Sequence, residues 1–304
     1  MGVKISLIGA GRVGGMIAYL LTPNKKIDEI VVIDKVQPRV EGTILDVSHA
    51  FPDYSTKLKA GSYEDTKYSK IIVITAGLAR VPEVETRMCL LDANMPIMKE
   101  IIESIKISKD SIIIILTNPV EPLVYLANKL LKGRIDSKNI IGFSNILDSA
   151  RLQVILSKEA NAEPEKVEAW VIGEHGENMM PAFSACSIDG RPLPAIDRES
   201  VKTELKKSSQ KVIECLGGTQ FGPSRHVERL VEAIINNTDD IFSVSFYAEK
   251  DEIYNISDVC MSLPAAIGSS GIKGVKKINL DGEEKRKLQD IAEKLRKIQK
   301  SMVF

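Results

Sequence analysis

Three histidines occur in the 304-residue chain, and one of them sits in surroundings that suit proton transfer. His175 lies in Gly173-Glu174-His175-Gly176-Glu177, delivered by the apolar run Ala169-Trp170-Val171-Ile172. An imidazole titrates near neutral pH, so a histidine held at a strand tip can give or take a proton. His49 falls in a helix-like stretch and His226 at a helix start, where a packing role is the plainer reading. Five further groups could work with His175. Asp148 and Arg151 are three apart and share a face if Leu147 to Leu152 is helical. Arg80 and Arg87 flank an irregular segment containing Pro82, of the kind that can close over a substrate. Asn118 precedes Pro119 and is therefore expected to be extended, which holds its amide at the end of an apolar run. Taken singly, each of these also reads as an ordinary surface charge, ion pair or turn.

The elements that must position them begin at the N-terminus. Val3 to Ile8 reads as a strand, Gly9-Ala10-Gly11-Arg12-Val13-Gly14 as a glycine turn, and Val13 to Leu21 as a helix that ends before Pro23. Gly9 suits the tight turn, Gly11 a close approach of backbone to a pyrophosphate, and Gly14 close packing of helix on strand. The phosphates would meet the unpaired N–H groups at the helix N-terminus. A second strand, Ile30 to Ile33, ends on Asp34, whose carboxylate can accept from both ribose hydroxyls and would repel a 2′-phosphate. That pattern favours NAD over NADP, with Lys35 and Arg39 near enough to soften the preference.

The runs Ile71 to Ile74 and Ile112 to Leu116 show no polar alternation, which marks strands covered on both faces, as in a parallel sheet. Helical patterns at 36–50, 87–107 and 121–132 separate them. The fold class expected is therefore α/β: a Rossmann-type, doubly wound parallel sheet over residues 1–143, followed by a mixed α+β substrate domain over 144–304. Ligands in such sheets bind beyond the carboxyl ends of the strands, which directs attention to Thr75-Ala76-Gly77 and Thr117-Asn118-Pro119 as well as to the glycine turn. In the second half, Lys166 to Ile172 reads as one strand, Ala182 to Ile188 opens a hairpin closed near Arg191 to Pro194, and Asp281 with Glu284 forms a capping box. That cap starts a last helix whose stripe (Leu288, Ile291, Leu295, Ile298, Met302) is expected to pack on its own domain.

Lys plus Arg equals Asp plus Glu at 41 each, so no net field favours nucleic acid or a membrane, and a small molecule is the expected partner. The cysteines (Cys89, Cys186, Cys215, Cys260) show no metal-site or redox spacing; reduced, buried thiols in a soluble cytoplasmic protein are expected, with no metal.

Five segments in this order (the glycine turn with Asp34, the two-arginine loop, Thr117-Asn118-Pro119, Leu147 to Arg151, and Gly173 to Glu177) resemble the lactate/malate dehydrogenase family over nearly the whole chain, and most resemble its lactate-dehydrogenase-like malate dehydrogenases. The resemblance implies His175 as proton donor and acceptor, Asp148 as its partner, Arg87 as the group polarising the carbonyl, and Arg151 as the substrate-carboxylate anchor. It further implies substrate contacts at Arg80, Asn118 and Thr219, and NAD contacts at Gly9, Gly11, Arg12, Val13, Gly14, Asp34, Thr75, Ala76, Gly77, Asn94, Thr117 and Asn118. Asp148 beside His175 is expected to raise the imidazole's pKa toward working pH. The family divides at the position of Arg80, where arginine accompanies a second substrate carboxylate, so the resemblance points to malate and oxaloacetate; L-lactate dehydrogenase is the alternative. This chain departs from the pattern in one respect: Arg80 and Arg87 are one residue further apart than the branch has them. Relatives of this kind are dimers or tetramers, and a homo-oligomer is expected. An NAD-using glycosidase and a non-catalytic NAD-binding protein are the remaining readings; the first needs a metal-binding cysteine, and none lies near His175 in this sequence, and the second gives no reason for His175, Asp148, Arg87 and Arg151 to occur together.

Overall fold

The computed structural model describes residues 2–79 and 86–304. The chain starts with β1 (Val3–Ile8), α1 (Arg12–Leu21), β2 (Ile27–Ile33), α2 (Gln37–Ala50) and β3 (Lys57–Ala60). It continues through β4 (Ile71–Ile74), α3 (Leu91–Ser104), β5 (Ile112–Ile115), α4 (Val120–Leu130) and β6 (Ile140–Gly142). These six strands run parallel in the order β3-β2-β1-β4-β5-β6, a doubly wound sheet.

The reason the strand runs lack alternation is visible in the packing. Ile71, Val73, Ile112 and Ile114 join one apolar cluster with Ile17 and Leu21 of α1. Their neighbours Ile72, Ile74, Ile113 and Ile115 join another with Met98 and Ile101 of α3 and Leu123 of α4. Successive side chains point to opposite faces, and both faces are covered, so no position can be polar without losing burial.

After β6 come α5 (Ile146–Glu159), β7 (Val167–Glu168), β8 (Val171–Gly173), β9 (Met179–Pro181), β10 (Ser187–Ile188), β11 (Arg191–Pro192), α6 (Arg198–Leu216) and α7 (Phe221–Asn236). The long hairpin β12 (Asp240–Asp251) and β13 (Ile256–Gly268), then β14 (Gly271–Val275) and α8 (Gly282–Ser301), complete the chain. Apart from a small three-stranded sheet, the second half adds its strands to the first sheet and does not build one of its own. β12 pairs antiparallel with β6 through Ser245 and Gly142, and β13, β8 and β9 extend the same sheet. Its core is also shared: Val227 and Leu230 of α7 and Leu295 of α8 belong to the cluster that holds Ile5 and Leu7 of β1.

Three local readings need correction. Lys166 to Ile172 is not one strand: Val167–Glu168 pairs with β10 in a small three-stranded sheet, and after Ala169 and Trp170 the chain crosses to β13 as β8. The hairpin after Ala182 is shorter than expected, because Phe183–Ala185 forms a 3-10 turn and the reversal uses Asp189 and Gly190, both at positive φ. Cys89 and Cys215 are exposed, so the burial expected of the thiols holds for Cys186 and Cys260 alone. The last helix behaves as read, with the Asp281–Glu284 capping box formed and α8 packed on β13. Buried Gln299, which the stripe did not reveal, ties it there by exchanging hydrogen bonds of 2.8 and 2.7 Å with the Cys260 backbone. No helix among the described residues is long and apolar enough to cross a membrane.

Candidate active site

A cleft of about 1010 Å³ opens at the carboxyl ends of β1, β4 and β5 and reaches across to α5, the end of α6 and the start of α7. Gly9 adopts φ +109, a conformation that disfavours side chains, and a Cβ on Gly14 would lie 1.8 Å from the Gly9 carbonyl oxygen. Around Gly11 nothing lies within 4 Å of such an atom, so the backbone there is open to a ligand. Gly11 caps α1 with no side chain bonded to the first-turn N–H groups, and Gly11, Arg12, Val13 and Gly14 line the cleft. Those features fit a dinucleotide pyrophosphate. Asp34 accepts from the N–H of Ala10 at 2.8 Å and of Val36 at 2.9 Å, so it orders the glycine turn, and each oxygen keeps a lone pair for a ribose hydroxyl. Thr75, Gly77, Thr117 and Asn118 line the cleft from the neighbouring strand tips, and the Thr117 hydroxyl donates to the Ala76 carbonyl at 2.7 Å. The Asn118 Oδ1 is buried without a partner, an acceptor aimed for use by a ligand. The Asn118-Pro119 bond is cis, which the sequence did not show.

Opposite the glycine turn, α5 presents Asp148 and Arg151 on one face, as their spacing requires. Asp148 is 1% exposed; its Oδ1 accepts from Arg151 Nη1 at 2.9 Å and its Oδ2 lies 2.5 Å from His175 Nδ1. Asn145 Nδ2 donates to the same Oδ2 at 2.9 Å. His175 arrives from the end of β8, and with Nδ1 committed to Asp148 its Nε2 is the ring nitrogen left for a substrate oxygen. Arg87, Arg151, His175 and Thr219 all line the cleft. A proton-transfer group, two guanidinium groups and an open dinucleotide turn thus meet in one cavity, the set needed to move a hydride and a proton on a carboxylate-bearing substrate.

Comparison with known proteins gives the family. Residues 3–142 match the family model described as lactate/malate dehydrogenase, NAD binding domain, and residues 146–303 match the lactate/malate dehydrogenase, alpha/beta C-terminal domain. The chain belongs to the lactate/malate dehydrogenase family. Among curated relatives, L-lactate dehydrogenase 1 of two Staphylococcus aureus strains, RF122 / ET3-1 and MRSA252, is 35% identical over 98% of this chain and 96% of the relative. Among solved structures, Cryptosporidium parvum malate dehydrogenase superimposes with a TM-score of 0.89 at 28% identity, covering 99% of this chain and 100% of that one. The chain is therefore an NAD-dependent dehydrogenase of this family, with NAD as its cofactor.

The electrostatics correct one expectation. Burial and then the Arg87 charge lower the His175 pKa below its ordinary value, and Asp148 only partly offsets them, so the ligand-free imidazole is not raised as its partner alone would make it. For Asp148, burial pushes upward, but the His175 charge and hydrogen bond, with Arg151 and Arg87 behind them, hold the carboxyl far below the usual carboxylate range. A carboxyl held far below its usual range thus stands beside a ring whose pKa burial and the two arginines lower.

Most of the residues picked out in the sequence gather here, with three differences. Arg80 lies outside the described residues. Asn94 is buried and does not line the cleft: its Oδ1 accepts from Leu78 N–H at 2.7 Å, and its Nδ2 donates to the carbonyls of Leu78 at 3.0 Å and Asn118 at 2.7 Å. All its capacity to donate goes to bracing the two strand-tip loops. Lys35 turns away to Glu100 at 2.8 Å, leaving Arg39, 3.9 Å from Asp34, as the cation beside that carboxylate. Glu121 and Asn145, which hydrogen-bond the His175 turn, and Ser144, which donates to Glu121, were missed. Asn145 caps α5 and could have been suspected, but nothing in an apolar helix start announces a buried glutamate.

Proposed function

We propose that the chain is an NAD-dependent malate dehydrogenase, interconverting (S)-malate and oxaloacetate, with residues 1–143 holding the dinucleotide and 144–304 carrying most of the substrate groups. The observation that carries the reading is the ordered set Arg151–Asp148–His175 facing, with Arg87, a cleft that contains the glycine turn. Arg151, anchored by one nitrogen to Asp148, offers the rest of its planar fork to the substrate's C1 carboxylate. Arg87, only 9% exposed, places positive charge beside the oxygen that develops negative charge in reduction. His175 Nε2 gives a proton to that oxygen in reduction and takes it back in oxidation, and Asp148 keeps the other ring nitrogen protonated in both directions. NAD, when bound, supplies the hydride acceptor and its reduced form the donor. A bound carboxylate neutralises Arg151 and removes one of the charges that lower His175, so oxo-acid binding draws a proton onto the ring.

Arg80 in the sequence supports malate over lactate, as does the likeness to the Cryptosporidium enzyme. The L-lactate dehydrogenase relatives support the second reading, a pyruvate-lactate enzyme with the same mechanism. Initial rates with oxaloacetate and pyruvate decide between them. A desolvated charge pair left half-made costs about 2 to 5 kcal/mol, so oxaloacetate should be favoured by about 30-fold to a few thousandfold in kcat/KM. Arg80→Gln should remove that factor while Arg87→Gln impairs both substrates; a preference for pyruvate in the unaltered enzyme would establish the lactate reading. Assembly as a homodimer or homotetramer belongs to the same proposal and is read from the mass in solution.

A further inference from the structure

The turn that carries His175 is seated on a carboxyl that the chemistry above does not use. Glu121, in the first turn of α4, is 1% exposed, and its Oε1 accepts the backbone N–H of His175 at 3.1 Å together with the hydroxyl of Ser144. A second carboxyl, Glu174, immediately precedes His175, is 7% exposed and accepts from Asn178 Nδ2 at 2.5 Å. The carbonyl of Glu174 accepts from Asn145 Nδ2 at 3.2 Å, the same nitrogen that donates to Asp148. His175 is therefore fixed at three points: its backbone nitrogen by Glu121, the carbonyl before it by Asn145, and its ring by Asp148. Burying a carboxyl costs stability that a neutral side chain of equal length would avoid, and among the apolar residues of that helix turn (Val120, Pro122, Leu123) a carboxyl adds nothing to packing.

We propose that Glu121 is a positioning residue for the dehydrogenase reaction: its carboxyl sets the seat of the His175 turn on α4, and with it the alignment of the imidazole between Asp148 and the substrate oxygen. The proposal rests on His175 being the proton donor. A misplacement of about 1 Å in such a group can cost about 100-fold in rate, which sets the scale of the effect.

The seat also carries its own pH signature. The titratable groups facing Glu121 are Glu174 on the His175 turn and Cys260 on β13. Burial pushes Glu121 up, the Ser144 hydroxyl pulls it back and the Glu174 charge pushes it up again, leaving it at about 7. An ionised carboxylate is the stronger acceptor for the His175 N–H, so the seat tightens as pH rises through that value. A purely structural glutamate would leave no such mark on turnover.

The test is steady-state oxo-acid reduction between pH 5.5 and 9 by the wild type, Glu121→Met and Glu121→Gln, with NADH affinity measured by fluorescence. Glu121→Met, which removes the acceptor at similar volume, should lose about 10- to 100-fold in kcat with NADH affinity unchanged. Glu121→Gln, whose amide oxygen can still accept, should recover a large part of that loss, and its kcat profile should lack the inflection that Glu121 contributes near neutral pH. Wild-type kcat in Glu121→Met, or a wild-type pH profile in Glu121→Gln, overturns the proposal; if Glu121→Met does not fold, the Gln profile decides alone. Absence of turnover by the wild type on either 2-oxo acid would overturn the reading of His175 and the proposal with it, whereas normal wild-type turnover with unaffected variants overturns the proposal only.

Discussion

Asp148→Asn removes the charge that faces His175 while preserving side-chain size, and its cost can be worked from the contacts. Asp148 Oδ2 lies 2.5 Å from His175 Nδ1; Asp148 is buried and His175 nearly so. Unit charges centred about 4 Å apart at an effective dielectric constant of about 20 attract by about 4 kcal/mol. The asparagine can keep a neutral hydrogen bond worth about 1 kcal/mol, which leaves about 3 kcal/mol, or about two pKa units, lost from the imidazolium. Geometry adds to this. The carboxylate accepts from His175 and Asn145 on one oxygen and from Arg151 on the other, so either orientation of an amide turns its NH₂ toward a donor. We expect kcat/KM for oxo-acid reduction at pH 7 to fall about 10²- to 10³-fold and the controlling pKa to move down. The assay is NADH oxidation followed by absorbance across pH 5.5 to 8.5, with NADH affinity measured separately and expected to hold, since the glycine turn is untouched. A loss smaller than tenfold with an unshifted profile would refute the assignment of Asp148.

Two further outcomes follow from the same structure. Arg39 is the cation nearest Asp34 at 3.9 Å and half exposed, so Arg39→Ala should sharpen the preference for NADH over NADPH by about fivefold, the scale of an exposed ion pair, and Asp34→Ala should erase it; equal cofactor ratios in all three proteins would remove both residues from the ribose site. Burial first, then Arg229, Arg225 and Arg151, push His226 down to about 4 from its ordinary 6.5, so between those values the unfolded chain binds more protons than the folded one. Stability supplied by its neutral form is present above pH 6.5 and lost as pH falls toward 4, and His226→Gln should flatten the loss by about 1 to 2 kcal/mol after allowance for partial exposure; unfolding curves at pH 7 and 4.5 that shift equally in both proteins would contradict it.

Much of this enzyme is written along the chain because its determinants are local. Gly9, Gly11 and Gly14 declare a backbone path that side chains would block, and a Cβ at Gly14 would meet the Gly9 carbonyl oxygen. The unbroken Ile71–Ile74 and Ile112–Ile115 runs declare two covered faces, since each strand feeds two apolar clusters. Asp148 and Arg151 share a face by helical geometry alone. Tertiary structure decided what depends on groups distant in sequence. Val167–Glu168 and Val171–Gly173 join different sheets because their partners, Ser187–Ile188 and Ser262, lie elsewhere in the fold. Asn94, expected at the cofactor, spends its amide on Leu78 and Asn118. The direction of the His175 shift could not be read from its carboxylate partner, because burial and Arg87, 88 positions earlier, outweigh Asp148. Glu121 was invisible for the same reason: a single acid in an apolar helix acquires meaning only when the fold brings Ser144, Glu174 and the N–H of His175 around it, where desolvation converts an ordinary side chain into a buried acceptor.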